Sequence, residues 1–152
     1  ADMRSELGEF DLVVYSANAT TVQKAKDLEK EFGVKFKVNS KGSLSHSEVL
    51  NLFANAQIYV GLSESDGIST SLLEAMAMGA IPVQTATACC DEWFSETGVA
   101  VKEISVPSVQ LAIRRAIELA QDQSNADANR ETIRRKASAE QVSEIAQGFY
   151  NI

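Results

Sequence analysis

A single α/β domain, with a parallel sheet covered by helices on both faces, is the fold class that this sequence predicts. Three observations predict it. Short apolar runs alternate with stretches of helical periodicity from one end to the other. The runs, such as Ile58-Tyr59-Val60-Gly61-Leu62 and Ala80-Ile81-Pro82-Val83, are solidly apolar, as strands buried on both faces are. The chain has 152 residues, 45% of them hydrophobic, with no internal repeat and no low-complexity linker. That suffices for one compact core, and a single domain over residues 1–152 is expected.

The elements follow in order. Leu12-Val13-Val14-Tyr15 is a first short strand. Thr20 with Gln23 three residues on has the form of a capping box, opening a helix from about Thr21 to Phe32 that Gly33 stops. Val34 to Val38 alternates and reads as a strand with one wetter face. Ser45 and Glu48 form a second capping box, ahead of a short helix through Val49, Leu50, Leu52 and Phe53. After the strand Ile58–Leu62, a helix runs from about Thr70 to Gly79. The strand Ala80–Val83 contains Pro82, which suits an edge or a strand end. Val99-Ala100-Val101 is the last strand. Pro107 stands in the first turn of a helix whose apolar stripe is Val109, Ala112, Ile113, Ala116, Ile117 and Ala120. Asp122 to Asp127 reads as a polar break, and Ala128 to Phe149 as one final helix.

Composition excludes several function classes. The formal net charge is −7, against a generic nucleic-acid or anionic-membrane binder, which would be basic. It does not exclude a small anionic ligand, because backbone N–H groups at a helix start hold phosphate without net positive charge. The two cysteines, Cys89 and Cys90, are adjacent, a poor arrangement for a structural disulfide. A reduced, cytoplasmic setting is the simpler expectation, with both thiols buried and inert. One histidine beside two neighbouring cysteines makes no zinc site, and no apolar run is long enough to span a bilayer.

The chemistry concentrates after the strand Ile58–Leu62. In open parallel sheets, ligands bind beyond the carboxyl ends of the strands. There the chain reads Ser63-Glu64-Ser65-Asp66-Gly67-Ile68-Ser69, then Thr70-Ser71-Leu72-Leu73-Glu74-Ala75-Met76-Ala77-Met78. Gly67 lets the backbone turn sharply or approach a ligand. Ser69, Thr70 and Ser71 crowd the helix start, where hydroxyls cap and N–H groups face outward, a ready anion site. Asp66 in the loop and Glu74 one turn into the helix could together accept hydrogen bonds from a polyol. On these features alone a capped helix start with a turn before it is the plainer account, because such short patterns recur by chance.

The same segment resembles the signature of the group 1 family of retaining glycosyltransferases, S-x-x-E-G-x-x-x-x-x-L-E-A-M-A-x-G. Asp66 and Glu74 stand at its acidic-x7-acidic pair, and Pro82-Val83 follow as the family's next strand does. The flanks agree in order. Leu44 to Val49 and Ala54 to Val60 resemble the upstream helix and strand. Asp91-Glu92-Trp93, Thr97 to Val101 and Ser108 to Leu119 resemble the elements downstream. The resemblance covers about residues 10 to 120.

It implies the C-terminal, Rossmann-like domain of a two-domain GT-B enzyme that transfers a sugar from a nucleotide diphosphate sugar to a hydroxyl acceptor with retention. Asp66 would lie near the donor sugar or its phosphates as the catalytic carboxylate. Glu74 would bind the ribose. The backbone around Gly67, Ile68, Ser69, Thr70 and Ser71 would meet the diphosphate. The loop around Asn39 to Gly42 would flank the base. No metal and no cofactor are expected, since the helix dipole and basic side chains would stabilise the leaving diphosphate.

Three departures stand out. Asp66 replaces the commoner Glu, Ser69 replaces a common Gly, and the family's Gly-Arg-bearing first strand with its following Lys has no counterpart before Phe10. Residues 1–10 resemble the tail of the helix after that strand. The expectation is therefore a donor-binding piece lacking its first strand, whose partners are the donor and an acceptor domain elsewhere in the parent chain. Polysaccharide biosynthesis is the expected setting, with any membrane contact peripheral and made through the parent. The alternative is a non-catalytic or regulatory nucleotide-binding module on the same scaffold, which Asp66, Ser69 and the absent basic clamp favour; an epimerase sharing the scaffold is a more distant third. Among smaller signals, His46 is expected exposed at a capped helix start and Trp93 packed beside Phe94. Arg130, Arg134, Arg135 and Lys136 are expected to form a solvated helix face.

Overall fold

The computed structural model describes residues 3–65, 67–87 and 89–150. The chain divides into two compact units, Ala1–Asn51 and Leu52–Ile152. The strands pair, all parallel, as two sheets, one in each unit.

The first unit holds α1 (Arg4–Leu7), β1 (Leu12–Ala17), α2 (Ala19–Phe32), β2 (Phe36–Ser40) and the start of α3 (His46–Ala54). Leu12 lies opposite Phe36 and Val14 opposite Val38, and the register shifts before Ala17. Beside that irregularity, Ser16 takes φ 58. Helix α2 starts two residues earlier than the capping-box reading had it. Asn18 is the cap, its side chain accepting from the Thr21 N–H at 2.8 Å, and asparagine is a stronger cap than threonine. Gly33 ends the helix as expected, at φ 72 with its N–H on the Glu29 carbonyl. Strand β2 is displaced from 34–38 to Phe36–Ser40, because Val34 and Lys35 bring the chain from that left-handed turn into register with Leu12. The Ser45–Glu48 capping box forms as predicted: the Ser45 N–H and hydroxyl donate to Glu48 Oε2 at 2.7 and 2.6 Å.

The second unit continues with β3 (Ile58–Gly61), α4 (Thr70–Met78), β4 (Ile81–Thr85), a 3-10 turn over Cys90–Glu92, β5 (Val99–Val101), α5 (Val106–Ala120), α6 (Gln123–Ala137) and α7 (Ala139–Tyr150). The strand order is β3-β4-β5. Pro82 therefore sits in the central strand, not at an edge. The reason is local. Ile81 N–H points to the β3 side, where it bonds the Gln57 carbonyl, so alternation turns the Pro82 nitrogen to the β5 side. Pairing with β5 begins only at Val83 opposite Val99, so no ladder bond is lost.

Ile81 and Val83 face α5, forming a core with Val101, Ala112, Ala116 and Leu119. Tyr59, Pro82 and Gln84 face the other way. Helix α4 packs on β3 and β4, burying Leu72, Ala75 and Met76, and α6 packs on α4. Buried Asn129 of α6 donates to the Ala80 and Thr97 carbonyls at 3.1 and 3.0 Å, fastening the helix to the segments before β4 and β5.

Two expectations about the last helices are corrected. The polar stretch after Gln121 is a helix start and not a break: Asp122 caps α6 by accepting from the Ser124 N–H at 2.9 Å. The expected single helix is two, because Ser138 takes ψ 150 and its hydroxyl accepts from the Gln141 N–H at 3.2 Å, capping α7.

Candidate functional site at the start of helix α4

The β3–α4 loop leaves the carboxyl end of a parallel strand, where the sequence placed the chemistry. Its first residue is held from β4. Ser63 carbonyl accepts from the Thr85 hydroxyl at 2.7 Å and from the Thr87 hydroxyl at 3.4 Å, and Gln84 Nε2 donates to Ser63 Oγ at 3.5 Å. At the far end of the loop, Ser69 is the N-cap of α4, with extended φ −71 and ψ 121. Its hydroxyl accepts from the Leu72 N–H at 3.4 Å, and its carbonyl accepts the first helical bond, from Leu73 at 3.2 Å. One of the three crowded hydroxyls thus does the capping. As in any α-helix, the first-turn N–H groups of Thr70 and Ser71 have no intrahelical acceptor. They stand at the positive end of the helix dipole.

Between these anchors, Gly67 is exposed, and a Cβ added there would meet nothing within 4 Å. At Gly67 no contact among the described residues calls for glycine, whereas at Gly79, the cap that ends α4, φ is +96 and a Cβ would lie 2.3 Å from the Arg130 guanidinium. That guanidinium donates to the Met78 carbonyl at 2.9 Å, placing a cation at the negative end of the same helix. Ile68, Ser71 and Glu74 are half-buried, Thr70 is exposed, and Glu74 lies on the Thr70–Glu74–Met78 line one turn in.

Gly67, Ile68, Ser69, Thr70, Ser71 and Glu74 are brought together in this one loop-and-helix segment of the second unit. Asp66 lies outside the described residues. Gly42 belongs to the first unit, at φ 77 in a tight turn after β2 that is closed by the Ser43 N–H on the Ser40 carbonyl at 3.0 Å. Among the described residues, no three His, Cys, Asp or Glu side chains gather so as to hold a metal ion.

Several outlying readings are settled or corrected. His46 is exposed as the first residue of α3. Cys90 is buried, and burial, then the neighbouring Asp91 charge, pushes its thiol pKa up. Cys89 is exposed and not buried as expected, because it enters the 3-10 turn with φ 28. Trp93 is half-buried with Lys136 Nζ 5.6 Å from its ring centroid. The basic set is not uniformly solvated. Arg134 and Arg135 are exposed beside Glu131, but Arg130 caps α4 and Lys136 donates to the Glu92 carbonyl. Sequence reasoning missed Gln84 and Thr85. The signal was there: two polar residues close an otherwise apolar central strand.

The chain matches the model of the family described as "Glycosyl transferases group 1" over residues 4–136. It belongs to that family. Among solved structures, it is similar to sucrose-phosphate synthase from Thermosynechococcus elongatus, with a TM-score of 0.66 at 18% identity. The superposition covers 92% of this chain and 38% of that one, so the group 1 chain spans well under half the length of that structure. The likeness carries the GT-B, Rossmann-like fold of parallel strands flanked by helices. No curated protein matches the sequence. No helix among the described residues is long and apolar enough to cross a membrane.

Proposed function

We propose that this chain is the donor-binding part of a glycosyltransferase that moves a sugar from a nucleotide diphosphate sugar to a hydroxyl acceptor with retention and without a metal ion. The observation that carries the proposal is the start of α4. The loop whose first residue is held by Thr85 leads there to a capped helix whose first-turn N–H groups have no intrahelical acceptor, close after a glycine at which an added Cβ meets nothing within 4 Å. Such a terminus is complementary to a diphosphate. In this reading, the amides around Gly67, Ile68, Ser69, Thr70 and Ser71 hold the diphosphate, and they stabilise the charge that grows on it as the sugar–phosphate bond breaks. Glu74, one turn along, accepts from the ribose hydroxyls. Asp66 serves the donor sugar. The acceptor domain comes from elsewhere in the parent chain, and the setting is the cytoplasm, where free Cys89 and Cys90 stay reduced.

Calorimetric titration of the folded chain with UDP, GDP, ADP and their sugars tests this. One nucleotide is expected to bind, with Glu74→Ala weakening it roughly tenfold or more, as loss of charge-assisted hydrogen bonds does. Gly67→Ala should weaken binding while leaving Tm unchanged. Absence of binding by every nucleotide in a folded sample contradicts the proposal, and an unchanged affinity in Glu74→Ala removes Glu74 from the ribose.

A further inference from the structure

Strand β4 ends in side chains that do not belong to a core. Thr85 is 2% exposed and Gln84 1%, at the end of a strand that is otherwise apolar. Backbone pairing of β3 with β4 stops at Gly61 opposite Gln84. Two residues further on, the donor loop begins, with its first carbonyl, that of Ser63, already past the ladder. By the same alternation that turns the Pro82 nitrogen to β5, the Ala86 N–H bonds Val101 of β5 and is not spent on the loop. Side chains at the end of β4 and just beyond it take over: the Thr85 hydroxyl reaches the Ser63 carbonyl at 2.7 Å, the Thr87 hydroxyl the same oxygen at 3.4 Å, and Gln84 Nε2 the Ser63 hydroxyl at 3.5 Å.

Three polar side chains on one residue are more than chain connectivity needs. Threonine, like valine, suits a strand, but its hydroxyl is costly to bury without a hydrogen bond, and here that bond goes to the loop. Gln84 adds to the point. Its Oε1 is buried without a hydrogen-bond partner, and a Cβ at Gly61 would lie 2.4 Å from it, so β3 carries no side chain where the carboxamide lies. Space in β3 is given up for a side chain whose one described partner is the loop.

We propose that Thr85, assisted by Gln84 and Thr87, is a positioning residue for the donor site: it fixes Ser63, and through it the loop that presents Gly67 to Ser71 to the diphosphate. The inference rests on the donor-site reading above. Thr85 touches no ligand in this account; it acts through Ser63. With the Ser69 cap holding the other end, the loop is fastened at both termini, which lowers the entropy lost when a ligand orders it.

The test uses the full chain with Thr85→Val, which keeps the shape and removes the hydroxyl, and Thr85→Ser, which keeps the hydroxyl. Thr85→Ala probes the same bond with space in place of a buried methyl, should the valine variant not fold. Two readouts are taken: amide hydrogen exchange over residues 63–69 without ligand, and the dissociation constant for UDP, GDP and ADP. Thr85→Val is expected to speed exchange of those amides and to weaken the nucleotide by roughly three- to tenfold each, the span of one net hydrogen bond. Exchange in α5 should not change, and Thr85→Ser should restore both values. Unchanged loop exchange in Thr85→Val overturns the anchor. Faster exchange with an unchanged dissociation constant overturns the positioning role. A wild-type chain that binds none of the three nucleotides overturns the donor reading and the positioning role with it, and the exchange data still report separately whether the anchor holds.

Discussion

The two units of this chain differ in how much apolar surface they withdraw from water. In the unit of residues 52–152, Leu72, Ala75, Met76, Val83 and Ala116 are wholly buried, and both faces of the sheet are covered. In the unit of residues 1–51, Met3 and Ala17 alone among the described hydrophobic residues are buried. There α2 buries no residue, and Val13 and Phe32 are 42% and 45% exposed. The first unit is held mainly by backbone ladders and helix caps, the second by a packed core. Since burial is the dominant favourable term in folding, stability should be concentrated in the second unit, which is also the one that carries the β3–α4 loop.

Core truncation should give the largest effect. Met76→Ala is expected to cost about 2–5 kcal/mol in urea unfolding, the range for a fully buried side chain whose cavity cannot collapse, and Val13→Ala under about 1 kcal/mol. Comparable losses at the two positions would break the contrast. Next comes the polar fastening of α6. Asn129→Ala leaves the Ala80 and Thr97 carbonyls without their described donor and should cost about 1–3 kcal/mol by the same measurement. A smaller effect belongs to the first unit, where caps matter more. Asn18→Ala should destabilise by about 1 kcal/mol, read as faster amide exchange in the first turn of α2 with no change in α5.

The smallest effect is a pH dependence. The bonds from the Ser45 side chain and then from its backbone hold the Glu48 carboxyl below its ordinary value of 4.5. A depressed folded-state pKa contributes stability above the unfolded value, and that contribution is lost as pH falls through the folded one. The start of α3 should therefore loosen in acid below about pH 4.5, seen as movement of the Ser45 amide resonance, and Glu48→Gln should flatten that titration. An identical acid titration in Glu48→Gln would assign it to another carboxyl.

Much of this was legible in the sequence because local chemistry set it. Gly33 and Gly79 stop helices, Ser45 and Glu48 form their box, Pro107 stands in the first turn of α5, and the start of α4 at Thr70 follows from Ser69. The family was legible from the run of residues from Ser63 through Val83. What was not legible depends on partners distant in sequence. Pro82 in a central strand makes sense only once β5 is seen to begin pairing one residue later. The division of labour among Arg130, Lys136 and their exposed neighbours depends on where α6 meets α4 and the Trp93 turn. Thr85 reads as an ordinary strand residue until Ser63 is found beside it. Competition between caps, Asn18 against Thr20 and Ser138 within an apparently continuous helix, moved the remaining boundaries.

Residue-resolved amide chemical shifts, followed as UDP, GDP or ADP is titrated into the chain, test the central claim most directly. The account predicts that one nucleotide moves a contiguous set, Gly67, Ile68, Ser69, Thr70 and Ser71, with the amides of α5 unmoved. Binding that shifts amides elsewhere and leaves this set in place, or no shift with any of the three, would contradict it.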